Sequence, residues 1–333
     1  MADSRQEDYL FQRVSLVREN EIVADLDLSF LKEATLIETL DLSGPKLILT
    51  FDDPDSIIRD ELGLRAKDIL EVRVADMWVR DEMDQTMRFV VWTPPNEGRI
   101  VVLNCMEESV HRLKQPAKDA VLFRRPAAEA VLRRLAPGLK YSCSSFPAIE
   151  DYHLLPGERP TKLLRKMAME KASVCFYRRG RLYFKRLAEL YASLPEITYE
   201  YNNPQAENQI EAFAIPNTES LIGDLHLRNF IGWDMVKGFV RSGRETRRPP
   251  EFVSVANIAT MDNLLRVAYP AIDFPTAGNG ALMPGITLAL KWHTDRLDAP
   301  IDESLPPKIL IGTVSHWYSA QKYISRVKGV VVR

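Results

Sequence analysis

Apolar and polar positions alternate in short runs over the first third of the chain. Leu47, Leu49 and Phe51 fall on one face, as do Leu70, Val72 and Val74, the period of two expected of half-buried antiparallel strands. These runs, Lys46 to Phe51 and Ile69 to Val74, are followed by two more at Met87 to Trp92 and Arg99 to Asn104. The turn residues Thr93 to Gly98 separate the second pair. From Glu21 to Leu103 the pattern therefore predicts a small β-barrel or sandwich. One short helix is expected inside it, over Asp55 to Leu62, where aspartates open the run and Gly63 closes it.

The periodicity changes near Lys118. Pro126 to Leu135 is alanine-rich, carries Val131 and Leu135 on one face, and is stopped by Pro137-Gly138, so it predicts a helix. A second helix is expected over Pro160 to Ala172, with Leu164, Met167 and Ala168 at the spacing of a buried stripe. Val174 to Tyr177 and Arg181 to Lys185 then flank Arg178-Arg179-Gly180 as a hairpin whose glycine supplies a positive φ. Helix, helix and hairpin make an α/β module.

Strand texture returns from Glu196, at Gln209 to Ile215, Leu225 to Phe230 and Met235 to Val240. Arg244 to Pro250 reads as a basic linker. Thr260 to Ala268 reads as a short helix capped by Thr260 and closed by Pro270, and Ala271 to Gly285 as a loop rich in Gly and Pro. Three strands follow, Ile286 to Trp292, Lys308 to Tyr318 and Lys322 to Val332, the last two joined by Ser319-Ala320-Gln321 as a long antiparallel pair. The fold class is α+β and β-rich: two antiparallel β-barrel-like domains with an α/β module and a small helical and loop insertion. The expected boundaries are 1–118 for the first β domain, 119–192 for the module, 193–245 with 281–333 for the second β domain, and 246–280 for the insertion.

Composition adds mainly exclusions. The 333 residues exceed the usual single core, and 46% hydrophobic with 27% charged residues is ordinary for a globular protein. A formal net charge of -2 leaves no global footprint for nucleic acid or an anionic membrane. No run reaches the ~18 to 20 apolar residues of a membrane-crossing helix. Met1 to Asp8 lacks the layout of a signal peptide, so a cytoplasmic chain is expected. Cys105, Cys143 and Cys175 fit neither a disulfide framework nor a metal pair, and read as buried small apolar residues.

Signatures of chemistry are absent: no phosphate loop, no dinucleotide fingerprint, no HExxH and no nucleophile elbow. Gly278-Asn279-Gly280 precedes a strand, the reverse of a phosphate site. Asp52 to Asp55 lacks the ligand spacing of a calcium loop and suits turn and cap duty. His111, His153, His226, His293 and His316 are scattered, as expected of histidines satisfied by local hydrogen bonds. No catalytic, cofactor-binding or metal-ligating residue is assigned, and no cofactor is expected. Basic residues cluster at Arg178 to Arg181 and at Arg241 to Arg248, where a solvated hairpin tip and linker compete with a nucleic-acid contact. Paired acids, Glu107 with Glu108 and Glu196 with Glu200, keep open a hydrolase whose site assembles only in the fold.

The run from His153 to Leu187, HLLPGERPTKLLRKMAMEKASVCFYRRGRLYFKRL, resembles the α/β module of contractile-tail baseplate hub proteins, a family that includes the N-terminal region of the VgrG spikes of type VI secretion. GPKLILTFDDPDSIIRDELGLRAKDILEVRV from Gly44 looks like the family's first tube domain. MPGITLALKWH from Met283 and KILIGTVSHWYSAQKYISRVKGVVV from Lys308 look like the closing strands of the second. Ending at Arg333 without a spike extension, the chain resembles a phage hub with a separate spike. The resemblance implies a homotrimer whose six similar β domains match a six-fold tail tube to a three-fold central spike. Spike, tail tube or tube-initiator, baseplate wedge and tape measure proteins would be its partners. DNA would pass through its lumen without specific binding, and no membrane would be involved. The implied place is the virion tail baseplate, assembled in the bacterial cytoplasm, and the family brings no catalytic residues.

Overall fold

The computed structural model describes residues 10–75, 85–93, 98–219, 228–243, 249–295, 300–319 and 322–332. Its first β unit comprises β1 (Phe11–Arg18), β2 (Glu21–Asp25), β3 (Leu31–Thr39), β4 (Lys46–Asp52), β5 (Ile69–Val74), β6 (Gln85–Val91) and β7 (Ile100–Glu107). The module carries helices α1 (Glu108–Leu113), α2 (Ala128–Leu135), α3 (Pro160–Glu170) and α4 (Leu187–Ala192), with β8 (Val121–Phe123), β9 (Lys140–Cys143), β10 (Tyr152–Leu154), β11 (Ser173–Arg178) and β12 (Arg181–Arg186). Beyond it lie β13 (Ile197–Tyr201), β14 (Gln209–Ile210), β15 (Asn229–Asp234), β16 (Gly238–Gly243) and β17 (Glu251–Phe252). Helix α5 (Ile258–Asn263) follows, then β18 (Ala268–Ala277), β19 (Thr287–Trp292), β20 (Lys308–Ser319) and β21 (Lys322–Val332).

The alternation read from the sequence places the core. Leu47, Leu49, Phe51, Leu70 and Val72 have no exposed surface and join Phe11, Phe89 and Leu103 in one apolar cluster. A second cluster fills the module around Leu164, Met167, Leu182 and Phe184, and a third lies under β18 to β21 around Phe274, Trp292 and Val327. One 13-stranded sheet runs from β14 through β19, β20, β3 and β4 to β2. Its central step pairs β20 with β3, antiparallel, from Thr313 opposite Thr39 to Ser319 opposite Glu33. The two β units are thus joined by a continuous hydrogen-bonded ladder.

Several expectations are corrected. The helix expected over Asp55 to Leu62 is a π-type turn, Ile57–Glu61, because the Asp53 carboxylate accepts the amides of Ile57 and Ile58 at 2.8 and 3.0 Å and sets the turn's entry. The strand expected over Met235 to Val240 forms only from Gly238, the first residue of β16, and Met235 to Lys237 are the turn before it. Asp234 accepts the amides of Val236 and Lys237 at 2.9 and 2.8 Å and Gly238 has φ of 74°, local chemistry that outweighs the apolar identity of Met235 and Val236. Residues 225–227 of the neighbouring expected strand lie outside the described residues. Helix α5 starts earlier than expected and is capped by Asn257, whose side chain accepts the Thr260 amide at 3.1 Å. Gln209 to Ile215 holds only the two-residue β14, followed by a bridge from Ala214 to Asp273.

Ala268–Ala277, expected to be helix end and loop, is a ten-residue strand paired with β21. Pro270 and Pro275 are tolerated because β18 has a full ladder on one side only, and its other side makes a single bridge to Ala214. Nor is the second β unit purely antiparallel: β13 pairs in parallel with β19 and with β14. A parallel pair needs a long crossover, and the excursion through β15, β16, β17 and α5 supplies it. Those three strands form a separate small sheet. Helix α1, absent from the sequence reading, begins directly at the end of β7, where the Glu107 carboxylate accepts the Val110 amide at 2.8 Å.

Candidate functional site

The hairpin β11–β12 points its tip at the place where β3, β20 and β21 meet. Arg178 and Arg179, expected at a solvated tip or on a DNA surface, turn inward. Arg178 donates to the Pro284 carbonyl at 3.0 Å and lies over the Tyr183 ring, 4.6 Å from its centre. Arg179 donates to the Gly280 carbonyl and stands 3.8 Å from the Glu38 carboxylate, with only 8% of its side chain exposed. The aromatics beside them form the packed face: Phe176 stacks on Tyr183 at 5.0 Å and joins Leu40 and Leu310 in a small apolar cluster against the sheet.

Below the tip lies a buried polar joint. Glu38 from β3, His316 from β20 and Ser325 from β21 have no exposed surface. His316 places Nε2 3.1 Å from the Leu282 carbonyl, an acceptor only, so that nitrogen carries the proton. Its Nδ1 lies 3.0 Å from both the Tyr323 hydroxyl and Ser325 Oγ. Burial, and then the Arg179 charge, push His316 down to about 3, against the Leu282 carbonyl, so the ring is neutral at ordinary pH. Burial holds the Glu38 carboxyl above its usual range, with Arg179 and then Arg178 opposing. Ser325 Oγ accepts the Asn279 amide at 3.0 Å, and a Cβ on Gly278 would come within 2.2 Å of the Tyr323 ring. The Gly278-Asn279-Gly280 run thus serves close packing at the joint.

Other candidate residues are taken up by structure. Glu107 caps α1, Glu108 lies 3.5 Å from Arg88, and Glu196 is exposed on the surface. Glu200, on the ladder from Lys291, binds Lys291 at 2.8 Å and His293 at 2.7 Å. With Asn203 as a further donor, it is held down at about 2. Asp52 is paired with Arg99 and Lys32, and Asp53 caps the following turn. His111 contacts Gln115 at 3.2 Å, His153 is exposed, and His226 lies outside the described residues, as do Arg244 to Arg248. Cys105 and Cys175 are buried free thiols and Cys143 is half-buried; burial pushes Cys105 up to about 12 and Cys143 up to about 11. Among the described residues no three His, Cys, Asp or Glu side chains gather as metal ligands, and no helix is long and apolar enough to cross a membrane.

The joint left a trace that the sequence reading missed. Ala34, Leu36 and Glu38 share one parity of β3, and Val314, His316 and Tyr318 one parity of β20. A carboxylate and an imidazole on inward-facing parities of two strands are the signal of a buried polar pair.

No family model matches the chain, and no curated protein matches its sequence. Solved structures do. The chain has the fold of the 43 kDa tail protein of prophage MuSo2 from Shewanella oneidensis, at 10% identity, covering 96% of this chain and 98% of that one with a TM-score of 0.61. A tail protein from Neisseria meningitidis is similar at 11% identity, 97% of both chains and a TM-score of 0.62. An Escherichia coli component of the type VI secretion system, itself similar in structure to T4 bacteriophage tail proteins, matches at 10% identity over 91% of this chain and 73% of its own, with a TM-score of 0.51. The resemblance to hub-like tail proteins read from the sequence is therefore a likeness of the whole fold.

Proposed function

We propose that the chain is a structural baseplate hub of a contractile phage tail. In this reading it is a homotrimer that adapts the six-fold tail tube to a three-fold central spike and lines part of the DNA ejection channel. Two β-barrel-like tube domains, 1–118 and 193–245 with 281–333, flank the module 119–192, and the strand Ala268–Ala277 of the 246–280 insertion belongs with the second. The observation that carries the reading is the β20–β3 ladder, which sets the two β units side by side in one sheet. Three such chains present six β units in a ring, and closure covers the strand edges that each unit leaves open. Spike, tube, wedge and tape measure proteins are the partners in this reading, the virion tail is its place, and neither catalysis nor a membrane enters it.

Light scattering after size exclusion tests it, with and without a trimeric spike protein. Three copies of 38.0 kDa, a particle of about 114 kDa alone or bound to the spike, is the expected result. A chain that stays monomeric in both cases sinks the hub.

A further inference from the structure

Cations gather in a place that neither basic stretch of the sequence marks. A cleft of about 770 Å³ opens where the first β unit, α3 and the segment after β17 meet. Lys162, Arg165, Lys166 and Met169 follow the i, i+3, i+4, i+7 spacing of one exposed face of α3, and all four line it. Arg159, at the N-terminal end of α3, and Lys114, just past α1, line it too, together with Trp92.

Part of this charge is not cancelled. Lys162 is held by Glu158 at 2.9 Å and Lys166 lies 3.8 Å from Glu170. Among the described residues no carboxylate stands within ion-pair distance of Lys114, Arg159 or Arg165. Lys114 donates to the Ser43 carbonyl at 3.1 Å and Arg165 to Ser43 Oγ at 3.3 Å, neutral acceptors that orient both cations, while Asp41, bonded to the same Ser43, attracts both from beyond ion-pair distance. Burial first, then Lys46, Arg165 and Arg159 against Asp41, push the Lys114 ammonium down to about 8. Beside these cations Trp92 is 58% exposed and Met169 56%, while Val253 and Leu264 add half-buried apolar surface.

We propose that this cleft docks an acidic peptide segment of another protein, its carboxylates on Lys114, Arg159 and Arg165 and one apolar side chain against Trp92 and Met169. Charge complementarity selects the partner and the apolar surface anchors it. A nucleic-acid strand fits less well, because Glu170 and Glu251 also line the cleft and interrupt the positive track that a phosphate backbone follows. The proposal extends the hub reading by giving a partner's chemistry, and its test reads peptide binding rather than chain mass.

The probe is a fluorescein-labelled peptide of about twelve residues, Asp and Glu around a central Phe-Leu pair, followed by anisotropy. Saturable binding that weakens as salt rises is expected, reduced about tenfold in the double variant Arg159→Glu, Arg165→Glu. Trp92→Ala should weaken this peptide and leave unchanged the weaker binding of one with Ser-Ser at its centre. The charge reversal relieves repulsion on Lys114 but removes the Arg165 bond to Ser43 and its attraction for Asp41, so the melting temperature is measured alongside; if the variant melts lower than the native chain, Trp92→Ala is the deciding comparison. No saturable binding by the native chain, binding indifferent to the deciding variant, or tighter binding of an oligothymidylate of equal length overturns the proposal.

Discussion

Nη2 of Arg179 stands 3.8 Å from Oε2 of Glu38, and neither oxygen of that carboxylate accepts a hydrogen bond among the described residues. The pair spans two parts of the chain, the tip of the β11–β12 hairpin and the C-terminal end of the β3 strand that joins the two β units. A buried pair of this kind adds little net stability, yet removing one partner strands the other charge. Arg179→Met is expected to cost about 3 to 5 kcal/mol at neutral pH. The deficit should shrink on acidification. Without Arg179 the Glu38 carboxyl rises further, so the folded chain holds its proton at pH values where the unfolded chain has released it, and stability falls as pH rises through that window. Melting temperatures across pH check this, and a deficit that does not change with pH contradicts it.

His316 predicts the opposite slope. Its ring is held at about 3, below the ordinary 6.5, so the unfolded chain takes up a proton that the folded chain refuses. Its stability contribution is present above the unfolded value and is lost as pH falls toward about 3. The raised Glu38 opposes this at higher pH, but below its ordinary value of 4.5 that contribution is flat. Between there and about 3 the slope is therefore set within the joint by His316, at up to ~1.4 kcal/mol per pH unit. His316→Gln should flatten the melting temperature across that interval relative to the native chain, and an unchanged slope refutes the assignment.

Phe176 tests the apolar side of the same contact. It is 1% exposed and packs with Leu40 of the sheet side and Leu310 of β20. Phe176→Ala should cost about 3 to 5 kcal/mol, and calorimetry should show the module melting ahead of the sheet. Loss of stability with a single unchanged cooperative transition would mean that the module and the sheet are coupled elsewhere.

Local chemistry made much of this fold legible. Leu47, Leu49 and Phe51 declare their strand, and Arg179-Gly180 declares the hairpin turn, where Gly180 has φ of 79°. What sequence could not show is which strands meet. Trp317 donates to Glu33 across 284 residues, and no local pattern encodes that pairing. Pro270 and Pro275 hid a strand because a proline argues against a ladder only where both strand edges are bonded. Arg179 read as a surface charge because its carboxylate partner is supplied by β3, far back in the chain. Lys114, Arg159 and Arg165 escaped notice because they form no run, and become a cluster only when α3 packs beside the end of α1.

Gly278 tests how closely the loop before β19 must approach β21. A Cβ there would come within 2.2 Å of two atoms of the Tyr323 ring, and the hydroxyl of that ring lies 3.0 Å from His316 Nδ1. Gly278→Ala therefore cannot be absorbed by the loop alone, and displacing the ring also disturbs the hydrogen bond at the joint. A cost of about 1 to 3 kcal/mol is expected. Because the clash is with one side chain, the two sites should couple: in a Tyr323→Ala background, Gly278→Ala should cost at least ~1 kcal/mol less. A double-mutant cycle by denaturant unfolding measures the difference. Equal costs in both backgrounds would show that the backbone of Gly278, rather than the Tyr323 ring above it, sets the requirement for glycine.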